Sequence, residues 1–78
     1  MKNQERIIGS IQRGRRNKIH VTLRSRGDQP IVDIREFEPN GLRVLTPTAK
    51  GMGLTPAEIR KLIAMLGDAL AATGEARS

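Results

Sequence analysis

A helix start at residues 55–58 constrains the fold of this sequence more than any other feature. Thr55-Pro56-Ala57-Glu58 has the pattern of a capping box, in which the Thr55 hydroxyl accepts from the backbone amide of Glu58 and the Glu58 carboxylate accepts from that of Thr55. Pro56 falls at the first helical position, where its missing N–H costs nothing. Apolar residues then recur at helical spacing, and Gly74 is a suitable stop. The pattern predicts one helix between Pro56 and Gly74.

Four segments before this helix have the character of short strands. Asn40-Gly41 is a hairpin signal, and Pro47 is expected to end the strand that follows it. The predicted strands are residues 6–12, 19–24, 31–37 and 42–46. The order predicts an α+β domain, a four-stranded antiparallel β-meander followed by one C-terminal helix.

Two of these strands alternate between apolar and polar residues. Ile19, Val21 and Leu23 share one face of the second strand, as Val32 and Ile34 do in the third. The polar face is predicted to carry His20, Thr22, Arg24, Asp33, Arg35 and Phe37. Ile31 falls on this polar face and does not fit the pattern.

The length of the chain predicts one small domain. A chain of 78 residues buries only about 60% of its extended-chain surface, and there is no Cys to form a disulfide. One His without a carboxylate cluster cannot build a metal site, so we expect no metal and no cofactor. We predict a domain over residues 6–74 with flexible ends at 1–5 and 75–78. Self-association is the expected source of further burial.

The sequence contains no membrane or export signal. No apolar run approaches the roughly 18 residues of a membrane span, and the N-terminus lacks the apolar core of a signal peptide. We therefore expect no membrane partner and an intracellular protein. It would lie in the cytoplasm or nucleoid of a prokaryote or phage host, or in a eukaryotic nucleus.

Positive charge is concentrated at the N-terminal end. The net charge of the chain is +6, and residues 1–27 hold eight basic residues against Glu5 alone. A basic block in one third of a small domain is typical of a protein that binds a polyanion. The alternative is a solvated, partly disordered basic arm.

Enzyme chemistry finds no support in the sequence. Lys50-Gly51-Met52-Gly53 lacks the length and the Lys-Ser/Thr ending of a P-loop. No Ser-His-Asp set or pair of carboxylates suggests a catalytic centre. We expect no catalytic residues.

Binding of a nucleic acid is the better supported function. Cations that follow a phosphate backbone, together with a ring that stacks on a base, are the parts of a single-strand platform. Phe37 is the sole Phe, Tyr or Trp of the chain, so most of the affinity would come from phosphate pairing, and a core position for this ring is an equal alternative. The predicted nucleic-acid-binding residues are Arg13, Arg15, Arg16, Lys18, Arg24, Arg26, Arg35, Phe37 and Lys50.

The apolar stripe of the predicted helix is wider than one small sheet can cover. Core packing explains part of it, and a dimer seam beside the core explains the rest. The predicted dimer interface comprises Leu62, Met65, Leu66, Ala69 and Leu70.

Two motifs resemble a known family. Val32-Asp33-Ile34-Arg35-Glu36-Phe37 and the later Lys50-Gly51-Met52-Gly53-Leu54, which leads into the capped helix, are similar to the DNA-binding domain of the transcriptional coactivator positive cofactor four. The family also has bacterial and phage members. The resemblance covers about residues 19–70.

The resemblance implies a four-stranded sheet backed by one helix, dimerisation through the helices, and binding of single-stranded DNA in paired grooves. By position, Arg24 matches a basic residue at a strand end, Arg35 the arginine of the central motif, and Lys50 the lysine before the glycine. The departures are Arg26 where an aromatic residue is common, Glu38 where some members have tryptophan, Ile59 for a helix tryptophan, and Gly53 for serine.

The sequence therefore predicts a dimeric, non-enzymatic regulator of transcription that binds single-stranded DNA, or melted duplex, with loose sequence preference. Two alternatives stay open. One is an adaptor that contacts proteins of the transcription machinery, and the other is a single-stranded RNA-binding protein, because phosphate pairing does not distinguish RNA from DNA.

Overall fold

The computed structural model describes residues 5–74. Its elements are β1 (Arg6–Arg13), β2 (Asn17–Arg26), β3 (Gln29–Pro39), β4 (Leu45–Leu54) and α1 (Pro56–Ala72). The strands form one sheet in the order β1-β2-β3-β4, and each pairs antiparallel with the next. This confirms the predicted β-meander and C-terminal helix. Of the ends predicted to be flexible, residues 1–4 and 75–78 lie outside the described residues.

The start of α1 has the predicted capping box. The Thr55 hydroxyl accepts from the amide of Glu58 at 3.2 Å, and a Glu58 carboxylate oxygen accepts from the amide of Thr55 at 2.9 Å. Pro56 begins the helix. Thr73 is the C-cap, and Gly74 follows with φ +86°, a left-handed conformation that glycine adopts without strain. The prediction was correct because both ends depend on local contacts.

The prediction of the fourth strand at residues 42–46 was wrong. Residues 40–44 form a closed loop, in which the side-chain oxygen of Asn40 accepts from the amides of Leu42 and Val44 at 2.7 and 3.1 Å. Arg43 has φ +66° in this loop. The strand begins at Leu45 and runs to Leu54. Pro47 does not end it, because β4 is an edge strand and proline is tolerated there.

The second half of β4 contains Lys50-Gly51-Met52-Gly53, which was expected to lie between the last strand and the helix. Gly51 lies opposite Arg35 of β3. A Cβ atom at Gly51 would lie 2.6 Å from the carbonyl oxygen of Ile34 and 2.7 Å from the Cα of Arg35. Glycine therefore allows the two strands to approach closely at this point.

The sheet has two chemically different faces, as the alternation predicted. Thr22 lies opposite Asp33 and His20 opposite Arg35, so these residues share a face. We call this the cleft face; it carries Lys18, His20, Thr22, Arg24, Ile31, Asp33, Arg35 and Phe37. The other, the helix face, carries Ile19, Val21, Leu23, Val32, Ile34, Glu36, Met52 and Leu54.

Helix α1 covers only part of the helix face. Leu62 and Met65 line a small apolar cleft with Met52 and Leu54. Among the large apolar residues of α1, Ile59 and Leu62 are half-buried. The others are mostly exposed in the single chain: Ile63 64%, Leu66 57% and Leu70 53%.

The best buried residues of the described chain lie on the cleft face. They are Ile31, Thr22 and Asp33. Ile31, which did not fit the alternation, is thus the most buried apolar residue. Arg24, Arg35 and Asp33 line the clefts around these positions. The floor of the cleft face is therefore shielded by long side chains, and α1 shields the edge of the opposite face.

Candidate nucleic-acid interface

Two adjoining clefts lie on the cleft face. The larger has a volume of about 290 Å³ and is lined by Arg24, Ser25, Arg26, Ile31, Asp33, Arg35 and Gly53. The smaller has about 170 Å³ and is lined by Glu5, Thr22, Arg24, Asp33, Arg35, Phe37 and Pro47. Arg24, Asp33 and Arg35 line both, so the two clefts form one continuous surface.

The end of β2 supplies two of the cations. Arg24 and Arg26 are both exposed. The Nε atom of Arg24 lies 3.3 Å from a carboxylate oxygen of Glu5, and both side chains are solvent-exposed. Such a surface pair is worth about 0–1 kcal/mol. Arg24 can therefore exchange Glu5 for a phosphate at little cost.

Arg35 is held by a fork of hydrogen bonds. Its Nε and Nη2 atoms donate to the two carboxylate oxygens of Asp33 at 3.1 and 3.0 Å. Its Nη1 atom donates to the carbonyl oxygen of Thr48 at 2.9 Å. The hydrogen bonds to Asp33 raise the pKa of Arg35, against a smaller opposing effect of desolvation. The guanidinium group is therefore permanently charged.

Phe37 is half-buried and stacks on His20. The ring centroids are 4.2 Å apart, and the planes are inclined by 16°. The Nδ1 atom of His20 is buried and has no hydrogen-bond partner among the described residues. The structure therefore places Phe37 at the cleft surface, beside a second flat ring.

The other predicted binding residues lie at three different places. Lys18 lies opposite Phe37 on the cleft face. Arg15 and Arg16 are exposed in the β1–β2 turn, where Gly14 has φ +67°. Arg13 and Lys50 line another cleft, with Ile34 and Met52 of the helix face and with Arg35. The structure thus brings Arg24, Arg26, Arg35 and Phe37 together on the two adjoining clefts, whereas Arg13 and Lys50 share a cleft with Arg35 alone of these four.

Sequence reasoning did not assign a role to three residues of this surface. His20 was placed on the polar face, as a surface residue or a contact for a phosphate or base, but its stack with Phe37 was not predicted. Asp33 precedes Arg35 by two positions, so their shared face was also readable. Thr48 was not, because its contact with Arg35 depends on the register of β4.

Comparison with protein families gives a match to Transcriptional Coactivator p15 (PC4) over residues 14–65. The matched segment is about two thirds of the chain and contains β2, β3 and β4 with the first half of α1. The chain belongs to the PC4 family. A search of curated protein sequences finds no match to it.

Solved structures of PC4 homologues have the same fold. A PC4 homologue from Burkholderia pseudomallei has a TM-score of 0.76 and 21% identity, and the match covers 96% of this chain and 97% of that one. A bacteriophage T5 homologue of the eukaryotic coactivator, implicated in recombination-dependent DNA replication, has a TM-score of 0.71 and 13% identity. That match covers 97% of this chain and 85% of that one. At these identities the likeness concerns the fold.

PC4 membership indicates a DNA-binding protein with a role related to transcriptional coactivation, in a family that is not enzymatic. Within residues 5–74, no group of three metal-ligating side chains lies together. The helix of this part of the chain is too short and too polar to span a membrane.

Proposed function

We propose that this PC4-family protein binds single-stranded DNA along the cleft face, with little sequence preference, as a regulator of transcription. The observation that carries the proposal is the convergence of Arg24, Arg26 and Arg35 on one continuous surface. Phosphate contacts position a strand without reading its sequence. A surface dominated by arginine therefore binds many sequences with similar affinity.

The ring pair contributes a different kind of contact. Phe37 lines the smaller cleft, and His20 stacks on its ring. Stacking of a base on an aromatic side chain is worth about 1–3 kcal/mol. A base of single-stranded DNA is free to stack in this way, whereas a base of an intact duplex is already stacked on its neighbours. The ring pair therefore favours the single strand.

The binding unit is proposed to be a homodimer joined through α1. Leu66 and Leu70 are mostly exposed in the single chain, as are the neighbouring Ile63 and Met65. A contiguous apolar stripe of this kind is costly in water and marks an interface. Leu62, Met65, Leu66, Ala69 and Leu70 would form the seam between two copies. Each dimer would then present two cleft faces.

An adaptor function is the second candidate, and the same uncovered stripe favours it. If α1 bound a protein of the transcription machinery instead of a second copy, the chain would be monomeric on its own. Affinity for DNA would then be incidental. A monomer with weak, salt-insensitive DNA binding would favour the adaptor.

The test compares Arg26→Gln with Arg60→Gln. Both substitutions remove one positive charge, but Arg60 lies on α1 outside both clefts. Affinity for a labelled single-stranded oligonucleotide is measured by fluorescence anisotropy over a series of salt concentrations. Loss of one phosphate contact reduces the magnitude of the log–log salt slope by about 0.7. We expect this reduction for Arg26→Gln and a wild-type slope for Arg60→Gln; equal slopes for the two variants would place the binding surface elsewhere.

A further inference from the structure

Asp33 is a carboxylate in the middle of a surface proposed to bind a polyanion. It lines both clefts and is only 6% exposed. A negative charge at this place repels phosphate, and burial of a carboxylate is costly unless it is paired. We therefore expect Asp33 to make a contribution to binding or folding that offsets this repulsion and this cost of burial.

The geometry of Arg35 provides one. A guanidinium group has five N–H donors in a rigid plane. Within residues 5–74, three are used, two by Asp33 and one by the carbonyl of Thr48. Two N–H donors remain, on a side chain that lines both clefts and is 23% exposed. Contacts from two strands thus fix the plane of the group.

We propose that Asp33 is a positioning residue for DNA binding: it fixes Arg35 so that the two remaining N–H groups meet one phosphate of the strand. The inference rests on the proposed function. Arginine recognises phosphate best through two parallel hydrogen bonds. A guanidinium group that is already oriented loses less conformational entropy when such a pair forms.

A purely structural role for the Asp33–Arg35 pair makes the opposite prediction for binding. If Asp33 only neutralised Arg35, its replacement by asparagine would release a cation and strengthen DNA binding. If Asp33 orients Arg35, the same replacement weakens binding although the protein becomes more positive. The sign of the change in affinity therefore decides between the two roles.

The experiment measures single-strand affinity of the folded full chain for Asp33→Asn, with Asp28→Asn as the matched control. Asp28 is an exposed residue of the β2–β3 turn, so its replacement removes the same charge without touching Arg35. We expect Asp33→Asn to bind about tenfold to a hundredfold more weakly, the range for losing a hydrogen bond to a charged group. Asp28→Asn should bind as wild type or slightly more tightly.

A double-mutant cycle with Arg35→Gln shows whether Asp33 acts through Arg35. In the Arg35→Gln background, Asp33→Asn should no longer weaken binding, because there is no guanidinium left to orient. A general defect of the fold would weaken binding in both backgrounds. Circular dichroism and the thermal midpoint monitor folding.

Arg35→Lys tests the same idea should Asp33→Asn fail to fold. Lysine keeps the charge but cannot form the fork and the phosphate pair together, so it should bind as weakly as Arg35→Gln. Wild-type affinity of Arg35→Lys would overturn the positioning role of Asp33 but not the proposed function. The same holds if folded Asp33→Asn binds single-stranded DNA as tightly as wild type or more tightly. A wild-type protein without affinity for single-stranded DNA would overturn the proposed function as well.

Discussion

His20 and Phe37 stack nearly parallel on the cleft face, with ring centroids 4.2 Å apart. The two residues come from adjacent strands. Phe37 lies opposite Lys18, and His20 is its diagonal neighbour on the same face. Phe37 is the sole Phe, Tyr or Trp of the chain. The stack therefore places the one large aromatic ring of the chain against a second flat ring from the neighbouring strand.

Replacement of Phe37 by leucine tests whether this ring stacks on a base. Leucine keeps apolar bulk over His20 but removes the flat surface. A lost stacking contact of about 1–3 kcal/mol predicts binding of single-stranded DNA that is roughly 5-fold to 150-fold weaker, with an unchanged salt slope because no charge is lost. Phe37→Tyr, which keeps the ring, is the control and should bind nearly as wild type. Equal affinity of Phe37→Leu and wild type would mean that the ring only packs against His20.

The basic β1–β2 turn is predicted to contact phosphates without choosing bases. Arg15→Ser combined with Arg16→Ser should reduce the magnitude of the salt slope by about 1.4, twice the value for one phosphate. Affinity should fall to a similar extent for all single-stranded sequences. The charge-matched control is Arg60→Ser with Lys61→Ser on α1, for which the slope should stay the same. If the turn variant keeps both slope and affinity, these arginines belong to a solvated loop.

The dimer seam can be tested by making the same substitution, alanine to glutamate, on opposite sides of α1. Ala69→Glu places a carboxylate within the apolar stripe, where an unpaired charge would be buried between two copies. Ala64→Glu introduces the same charge on the opposite side of the helix. Sedimentation should detect a monomer or an unfolded chain for Ala69→Glu and a dimer for Ala64→Glu. Wild-type protein that sediments as a monomer at micromolar concentration would refute the seam.

Replacement by alanine should have opposite effects on the free energy of unfolding at Gly51 and at Gly67. At Gly51 the added Cβ would lie 2.6–2.7 Å from backbone atoms of β3, so Gly51→Ala should reduce the free energy of unfolding by about 1–3 kcal/mol. At Gly67, inside α1, the added Cβ meets nothing within 4 Å, and Gly67→Ala should raise it by about 0.5–1 kcal/mol. Chemical denaturation measures both changes. Tolerance of alanine at Gly51 would show that β4 does not pair with β3 as closely as described.

Local signals in the sequence predicted most of the fold. The ends of α1 depend on contacts within four residues, and the faces of β2 and β3 follow from the alternation, with Ile31 as the exception. The bounds of β4 were not predictable in this way. They depend on how the Asn40 side chain closes a loop and on Gly51, a position where only glycine fits against the partner strand β3.

The candidate site was predictable in its charges more than in its contacts. Placing Arg24, Arg35 and Phe37 on one face required only the alternation. The fork between Asp33 and Arg35 required actual distances, because a shared face does not determine which N–H groups of Arg35 meet the carboxylate. Glu36 accepts from Asn17 at 2.7 Å on the helix face. Lys50 was expected in one groove with Arg24 and Arg35; it lines a different cleft, which it shares with Arg35 but not with Arg24.

A titration of wild-type protein with single-stranded and double-stranded DNA of equal length, each at several salt concentrations, tests the central claim most directly. Binding through arginine–phosphate pairs on the cleft face predicts an affinity for single-stranded DNA that falls linearly with salt on a log–log scale. The bases of the single strand are free to stack on Phe37. Single-stranded DNA should therefore bind more tightly than the duplex at every salt concentration. Equal or tighter binding of the duplex, or single-strand binding that does not change with salt, would contradict the account.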